Sequence, residues 1–556
     1  MILDVSTLAE TTRPETDICI VGGGVAGIIL AREFIGKSVR VCVLESGGGK
    51  RQPSPDNTPA GVDDRRLPYS AQKVPNARRF GGSAHFWDVP IGGHRLGARL
   101  RPLDPIDFEK RDWVPYSGWP FRKSDLNPFY DRAQAICRVE PASFAIDDWE
   151  DIQTPRLPLP EDNVQTIIYK FIARDTVAKE YTEAVSRADN ITTFLRANVL
   201  EIETNASADR VERIHVATLD GKRITVTAKL FILACGGMEI PRLLLVSNRT
   251  SPKGVGNEYD LVGRFFMEHL HFWQGVFVPA KPAALKATAL YNNVHIVKGV
   301  AVIGKLALAE SVLRRERLLN QNVQLVPQRM PDPFKSRETS RAGVESFKTL
   351  CSAVLRGEKL SDDRQHFRNI SVSLPQIAIA GARKVRNRLF GGSEILTYYF
   401  ANMMEQVPNP ESRVILSPDR DFFGQPSAQL NWQVARQDFR SAVRSQDIIG
   451  CALEKAGLGH FYRETCEDQM PAVVEGGYHY MGTTRMHTDP GQGVVNADCR
   501  LHNVQNLFIA GPSVFPTGGY ANPVLTIVAL TIRLADHLKA LLAERYELTV
   551  SSLGRD

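Results

Sequence analysis

Two short runs near the C-terminal end carry side chains able to move a proton and hold an oxygen. In GGYHYMGTTRM, His479 stands three residues before Gly482-Thr483. In FPTGGYANPVLTIVALTIRLADHL, Asn522 stands forty-three positions later, just ahead of Pro523 and a long apolar stretch of helical period. An imidazole titrates near neutrality and suits general base work, which typically contributes about 10²–10⁴-fold to a rate. A carboxamide can bind the oxygen that gives up its proton without competing for it. Oxidation of an alcohol asks for both, because an O–H proton and a hydride on carbon must leave together. Pro523 suits a first helical position, which makes Asn522 the expected N-cap of the last helix. The end of that helix offers partial positive charge to a neighbouring anion.

The elements that position this pair begin some 460 residues earlier (479 − 22 = 457). Asp17 to Val21 is a short β-branched run, Gly22-Gly23-Gly24-Val25-Ala26-Gly27 follows, and IILAREFIGKS continues with helical spacing. VRVCVLESGGG then reads as a second strand that ends on Glu45. A lone Gly-x-Gly-x-x-Gly is weak, but strand, turn, helix, strand and terminal acid in this order are a dinucleotide fingerprint. Gly22 permits the tight turn, Gly24 lets backbone approach a pyrophosphate at a helix N-terminus, and Gly27 allows close helix–strand packing. Glu45 is placed to accept from a ribose diol. The fingerprint leaves NAD and FAD open. A second glycine turn, GGSAHFW at 81–87, follows Arg78 and Arg79 and would set Ser83 and Ala84 against a flat ring.

A chain of 556 residues, 43% hydrophobic and 23% charged, is an ordinary globular sequence long enough for two domains. A net charge of +6 is mild and argues against a nucleic-acid binder. The apolar run Pro523 to Ile532 is too short to span a bilayer, and the N-terminus lacks a basic-then-apolar leader, so a cytoplasmic location is expected, with export beside a partner subunit left open. Eight cysteines without Cys-x-x-Cys spacing point to neither zinc nor a disulfide framework. No metal site is expected at His479, which has no regularly spaced His or acidic companions.

Glycines placed just after apolar strands recur at 191–246 and 506–517, which suggests one discontinuous α/β domain of Rossmann type. We assign it residues 1–95, 191–271 and 471–556, with 96–190 as a cap segment of the substrate domain and 272–470 as its body, an antiparallel sheet. Residues 301–400 hold 17 Lys/Arg against 9 Asp/Glu, and RAGVESFKTLCSAVLRGEK puts an apolar stripe on a basic helix. That reads first as a solvated helix and second as a docking surface for an electron carrier or anionic membrane. His269, His271 and His487 read as packing or peripheral residues. Glu405 and Gln406, at a strand end, could hydrogen-bond a polyhydroxylated substrate.

Over nearly its whole length the chain resembles the glucose–methanol–choline (GMC) flavoprotein oxidoreductases. The likeness rests on VGGGVAGIILA with Glu45, FGGSAHFW, LACGGMEIPRLLLVS, VGRFFMEH, EQVPNPESRVILS, HYMGTTRM and NLFIAGPSVFPTGGYANPVLTI, all in order. FGGSAHFW and SGWPF point to the branch holding pyranose oxidase and bacterial sugar, glycoside and sugar-acid oxidoreductases. The resemblance implies FAD as cofactor, with Gly22, Gly24, Gly27, Glu45, Arg79, Gly82, Ser83, Val199, Ala234, Gly511 and Pro523 around it. It also implies that His479 and Asn522 are the catalytic pair. Pyranose oxidases attach FAD through a His just before the Trp of this loop. Phe86 stands there, and strand alternation would turn His85 away, so noncovalent FAD is expected.

These readings converge on oxidation of a secondary hydroxyl of a sugar, glycoside or related polyol to a ketone, with oxygen or another acceptor taking the electrons. Two alternatives remain: a lyase that keeps FAD structurally, and a flavin subunit that docks an electron-transfer partner through 301–400. An NAD-dependent dehydrogenase would leave the C-terminal motifs without a task.

Overall fold

A computed structural model describes residues 1–9, 11–49, 78–91, 94–280, 287–329, 396–463 and 474–553. The basic helix expected within 341–359 and most of the 301–400 region lie outside the described residues.

Three glycine-punctuated stretches of sequence build one eight-stranded sheet. Its parallel part runs Ile2–Asp4, Ile191–Leu195, Val41–Glu45, Glu15–Val21, Arg223–Leu233, with Leu507–Ile509 on the far side of Arg223–Leu233. Apart from the edge strand Ile2–Asp4, these strands carry apolar runs because both of their faces are buried, as parallel strands require. Ile18, Ile20, Val43, Phe231 and Ile232 have no exposed surface. Arg223–Leu233 does two jobs. Its first half pairs antiparallel with Val211–Ala217, which pairs in turn with Asn198–Thr204, while its second half joins the parallel set. The helix Val25–Arg32 packs on this sheet, and Val524–Leu553, which follows directly from Asn522-Pro523, packs against that helix and against Lys123–Cys137.

The other layer is a nine-stranded antiparallel sheet. Its order is Gly459–Tyr462, Leu270–Pro279, Leu396–Met404, Gln321–Arg329, Val300–Leu308, Val164–Phe171, Arg99–Leu100. The α/β class with a dinucleotide-binding sheet and a second antiparallel sheet is therefore present.

Two local expectations change. Gly82–Phe86 is a 3₁₀ turn, so strand alternation does not govern where His85 points. Its ring instead sits at the carbonyl of Phe80, 2.9 Å from Nε2. The last helix also begins one residue later than expected. Its first bond runs from Ile527 N–H to the carbonyl of Pro523 at 2.8 Å, which makes Pro523 the cap and frees Asn522 from that duty. No helix among the described residues is long and apolar enough to cross a membrane.

Candidate active site

At the nucleotide end, conformation is decisive. Gly22 has φ +108°, and a Cβ there would lie 2.7 Å from the carbonyl oxygen of Ala234. A Cβ on Gly27 would lie 1.9 Å from the Gly22 carbonyl oxygen, so helix and turn touch through hydrogen alone. A Cβ on Gly24, by contrast, meets no protein atom within 4 Å. Gly24 caps the helix, so its neighbours' N–H groups open onto that clear space, the form a pyrophosphate needs. The second glycine turn lies directly on the first: Gly81 N–H donates to Gly23 O at 2.8 Å, and a Cβ on Gly82 would meet Gly24 Cα.

Glu45 accepts from Gly23 N–H at 3.0 Å and Gly47 N–H at 2.7 Å, fixing the loop it was expected to serve. Burial raises its pKa against these donors. Arg79 binds the carbonyl of Gly49, while Arg78 reaches Asn198. Ser83 is exposed, Ala84 is buried, Val199 is half-buried and Ala234 is tied to Val21 O at 2.7 Å. Gly511, at φ +136°, again faces open space. A clear cradle at a helix N-terminus and a buried acid at a strand end fit an FAD dinucleotide.

At the other end, chemistry is decisive. Asn522 Nδ2 lies 3.2 Å from His479 Nε2, so the pair read from sequence does meet. An amide N–H can only donate, so Nε2 is the accepting nitrogen and Nδ1 carries the hydrogen. That hydrogen points at Nδ1 of His269, 2.8 Å away, and leaves His269 Nε2–H toward the carbonyl of Gly518 at 3.4 Å. The backbone N–H of His479 donates to Glu268 Oε1 at 2.6 Å. Among the described residues, the Asn522 Oδ1 and Glu268 Oε2 atoms are buried without a hydrogen bond, which is rare in folded proteins.

Burial, then the neighbouring His269 and His271, and then Arg99 and Lys305 hold the His479 pKa well below the imidazole range. Burial likewise lowers His269 to about 4 and His271 to about 3, and raises Glu268 to about 8. All three imidazoles are therefore neutral at pH 7, and His479 keeps an unprotonated Nε2 turned to Asn522 Nδ2.

Glu405 and Gln406 require a correction. Glu405 is wholly buried in an ion pair with Arg111, at 2.5 and 2.9 Å, and also accepts from Asn320 N–H. Gln406 Oε1 accepts from Glu268 N–H and Trp432 Nε1–H, and its Nε2 donates to Gln433 O. Their hydrogen-bonding capacity is spent inside the protein. His487 stays at the periphery, accepting from Asp489 N–H. His269, read as packing, is the direct partner of His479. The available signal was two histidines at i and i+2 entering a strand, which share a face. The described residues hold no cluster of side chains able to bind a metal.

The two sheets and the glycine cradle define the class: an α/β dinucleotide-binding fold with a second, antiparallel layer. Residues 408–531, which include His479 and Asn522, match the family model described as GMC oxidoreductase. This segment is a GMC oxidoreductase C-terminal domain; GMC oxidoreductases are FAD-dependent, and the named relatives of the chain are oxidases and dehydrogenases acting on alcohol groups. It is 24% identical to a 2-methyl-1,2-propanediol dehydrogenase of Mycolicibacterium austroafricanum, over 95% of this chain and 96% of that one. A C-glycoside 3-oxidase of Arthrobacter globiformis is 34% identical over 20% of this chain and 21% of that one. Among solved structures, a formate oxidase superposes with a TM-score of 0.52 at 16% identity, covering 96% of this chain and 100% of the other, a likeness of fold alone.

Proposed function

We propose that this enzyme oxidises a secondary hydroxyl of a sugar, glycoside or related polyol to a ketone, with noncovalently held FAD and with His479 as base. FAD, when bound, supplies the hydride acceptor. The observation that carries the reading is the meeting of His479 Nε2 with Asn522 Nδ2 at 3.2 Å, beside an Asn522 Oδ1 that has no hydrogen bond. A hydroxyl that displaces this direct contact would donate to Nε2 and accept from Nδ2–H. His479 takes the O–H proton at Nε2, and its Nδ1–H stays on His269, which fixes both ring orientation and tautomer. Gly82 and Ser83 border the cofactor from the second glycine turn, with Val199, Ala234, Gly511 and Pro523 around it. The engagement of the His85 ring by Phe80 O supports noncovalent attachment. The names of the diol dehydrogenase and the C-glycoside oxidase support the substrate class.

The test is anaerobic mixing of the yellow holoenzyme with sugars, glycosides and polyols. Substrates should bleach the flavin band, and His479→Ala should slow bleaching by ~10²-fold or more. Bleaching at an unchanged rate in the variant would end the assignment. Turnover without bleaching would indicate a lyase. Colour that stays in an acid-precipitated pellet would refute noncovalent attachment.

A further inference from the structure

Strand register places one row of side chains on the face of the antiparallel sheet that meets His479. His271 lies opposite Met403, Met403 opposite Asn322, and Asn322 opposite Ala307. Lys305, two residues from Ala307, shares that face, as do Tyr169 opposite Ile303 and Arg99 opposite Phe171. The His271 and His479 ring centroids are 6.1 Å apart, so this face is turned toward the base. Lys305 Nζ donates to Asn322 Oδ1 at 2.9 Å, and Asn322 Nδ2 lies 3.4 Å from the carbonyl of Tyr520, two residues before Asn522.

Among the described residues, three other buried or largely buried arginines have acids, whereas Arg485 has the Tyr116 carbonyl and the Phe265 ring. Arg111 has Glu405, Arg101 has Asp104, and Arg242 has Glu239 and Asp421. Lys170 has no acid but gives hydrogens to Gln134 and to two carbonyls. Among the described residues, Lys305 has only the neutral Asn322 and the Tyr169 ring face, 4.5 Å from its Nζ. The Arg99 guanidinium lies 6.0 Å from the Phe171 ring centroid, its side chain makes no hydrogen bond to the described residues, and its Nε is buried without an acceptor. A buried charge without a counter-charge is costly, and two like charges on one face are worse.

We propose that Lys305 and Arg99 form an anion subsite of the oxidation site, so that the preferred substrate is a hydroxylated acid, a carboxylate or phosphate ester of a sugar or polyol. This rests on the reading of His479 as the base. Burial and then Arg99 push the Lys305 ammonium well below its usual range, and both cations oppose protonation of His479. A seated anion offsets both charges, so the base is strongest when the acidic substrate is in place.

The holoenzyme is mixed anaerobically with D-glucose, D-glucuronate and D-glucose 6-phosphate, and binding of acetate and inorganic phosphate is followed by perturbation of the flavin spectrum. At least one acidic sugar should bleach flavin with a second-order rate constant tenfold or more above that of glucose, and the comparison of the two acids identifies the anion. Lys305→Met and Arg99→Met should each bring that ratio toward one and weaken acetate or phosphate binding by tenfold or more, and Lys305→Arg should restore part of both. A preference for glucose, or a ratio and anion affinity unchanged in both Met variants, would overturn the proposal. So would a shifted flavin potential at an unchanged ratio, which would assign the cations to the cofactor. Anion binding that is lost in the variants, without bleaching by any sugar or polyol, would uphold the subsite while ending the alcohol-oxidation reading.

Discussion

The two ends of this active-site region are built on opposite plans. The nucleotide end is made from backbone: glycines in two turns, an N-terminal helix cap, and Glu45 bound by the N–H groups of the loop it holds. Its contributions come from short, nearly contiguous segments. The reacting end is made from side chains of four separated segments, around 99, 268–271, 305 and 479–522, whose titratable groups are removed from water. A dinucleotide asks for a fixed shape, which glycine conformation can specify. Proton removal asks for a group out of balance with its surroundings, which only burial can create.

Behind the reacting end, Glu405 offers the largest test of this contrast. If its ion pair with Arg111 is purely supportive, Glu405→Gln should cost roughly 3–5 kcal/mol of stability, because it leaves a buried guanidinium uncompensated. Chemical denaturation would measure that loss, and the Michaelis constant of the surviving folded fraction should be unchanged. A raised Michaelis constant at intact stability would return Glu405 to the substrate. Two glycine substitutions test the other end with a smaller effect. Gly27→Ala forces a methyl onto the Gly22 carbonyl and should destabilise the apoprotein by about 1–3 kcal/mol. Gly24→Val enters clear space, so the apoprotein should melt normally yet retain FAD at least ~10-fold less tightly, since that volume is the one proposed for the phosphates. Equal melting and equal flavin retention for both variants would break the contrast.

The same division explains what could be read from sequence. Strand, glycine turn, helix and terminal acid recur within thirty residues, so the cradle at Gly22–Gly27 and the role of strands such as Val41–Glu45 were legible. His479 and Asn522 were legible as residue types, because each sits in a motif whose chemistry is interpretable alone. Their distance was not, nor was the hydrogen bond to His269, since a strand pairing 210 positions away decides it. Glu405 was misjudged because a polar residue at a strand end looks the same whether it faces solvent, substrate or Arg111. Lys305 lies in the apolar run VAVIGKLAL, where only the register reveals which face, and which neighbours, it has.

Loss of His269 should have a modest effect on rate. His269→Leu removes the acceptor of His479 Nδ1–H, worth about 1 kcal/mol for a net hydrogen bond, or roughly fivefold in bleaching rate. The slowing should appear with flavin content unchanged, whereas a variant that also loses FAD would make His269 part of the fold rather than of the site.

The smallest expected effect is also the most specific to burial. His271 is held to about 3 in the folded protein, against ~6.5 for a free imidazole, so below pH 6.5 the unfolded chain binds a proton that the folded chain refuses. Its neutral form therefore costs nothing above that pH, and the native state loses stability as pH falls through it. Glu268, raised to about 8, works the other way: the folded state keeps a proton that the unfolded chain releases above its usual carboxylate range, so this contribution fades as pH rises toward 8. Comparing wild type with His271→Leu cancels the Glu268 contribution, which both proteins share. Between pH 7.5 and pH 6 the wild type should lose just under ~1 kcal/mol relative to the variant. A constant difference across that interval would mean that His271 takes up its proton in the folded state, and that the face opposite His479 is wetter than its buried, unpartnered Nε2 implies.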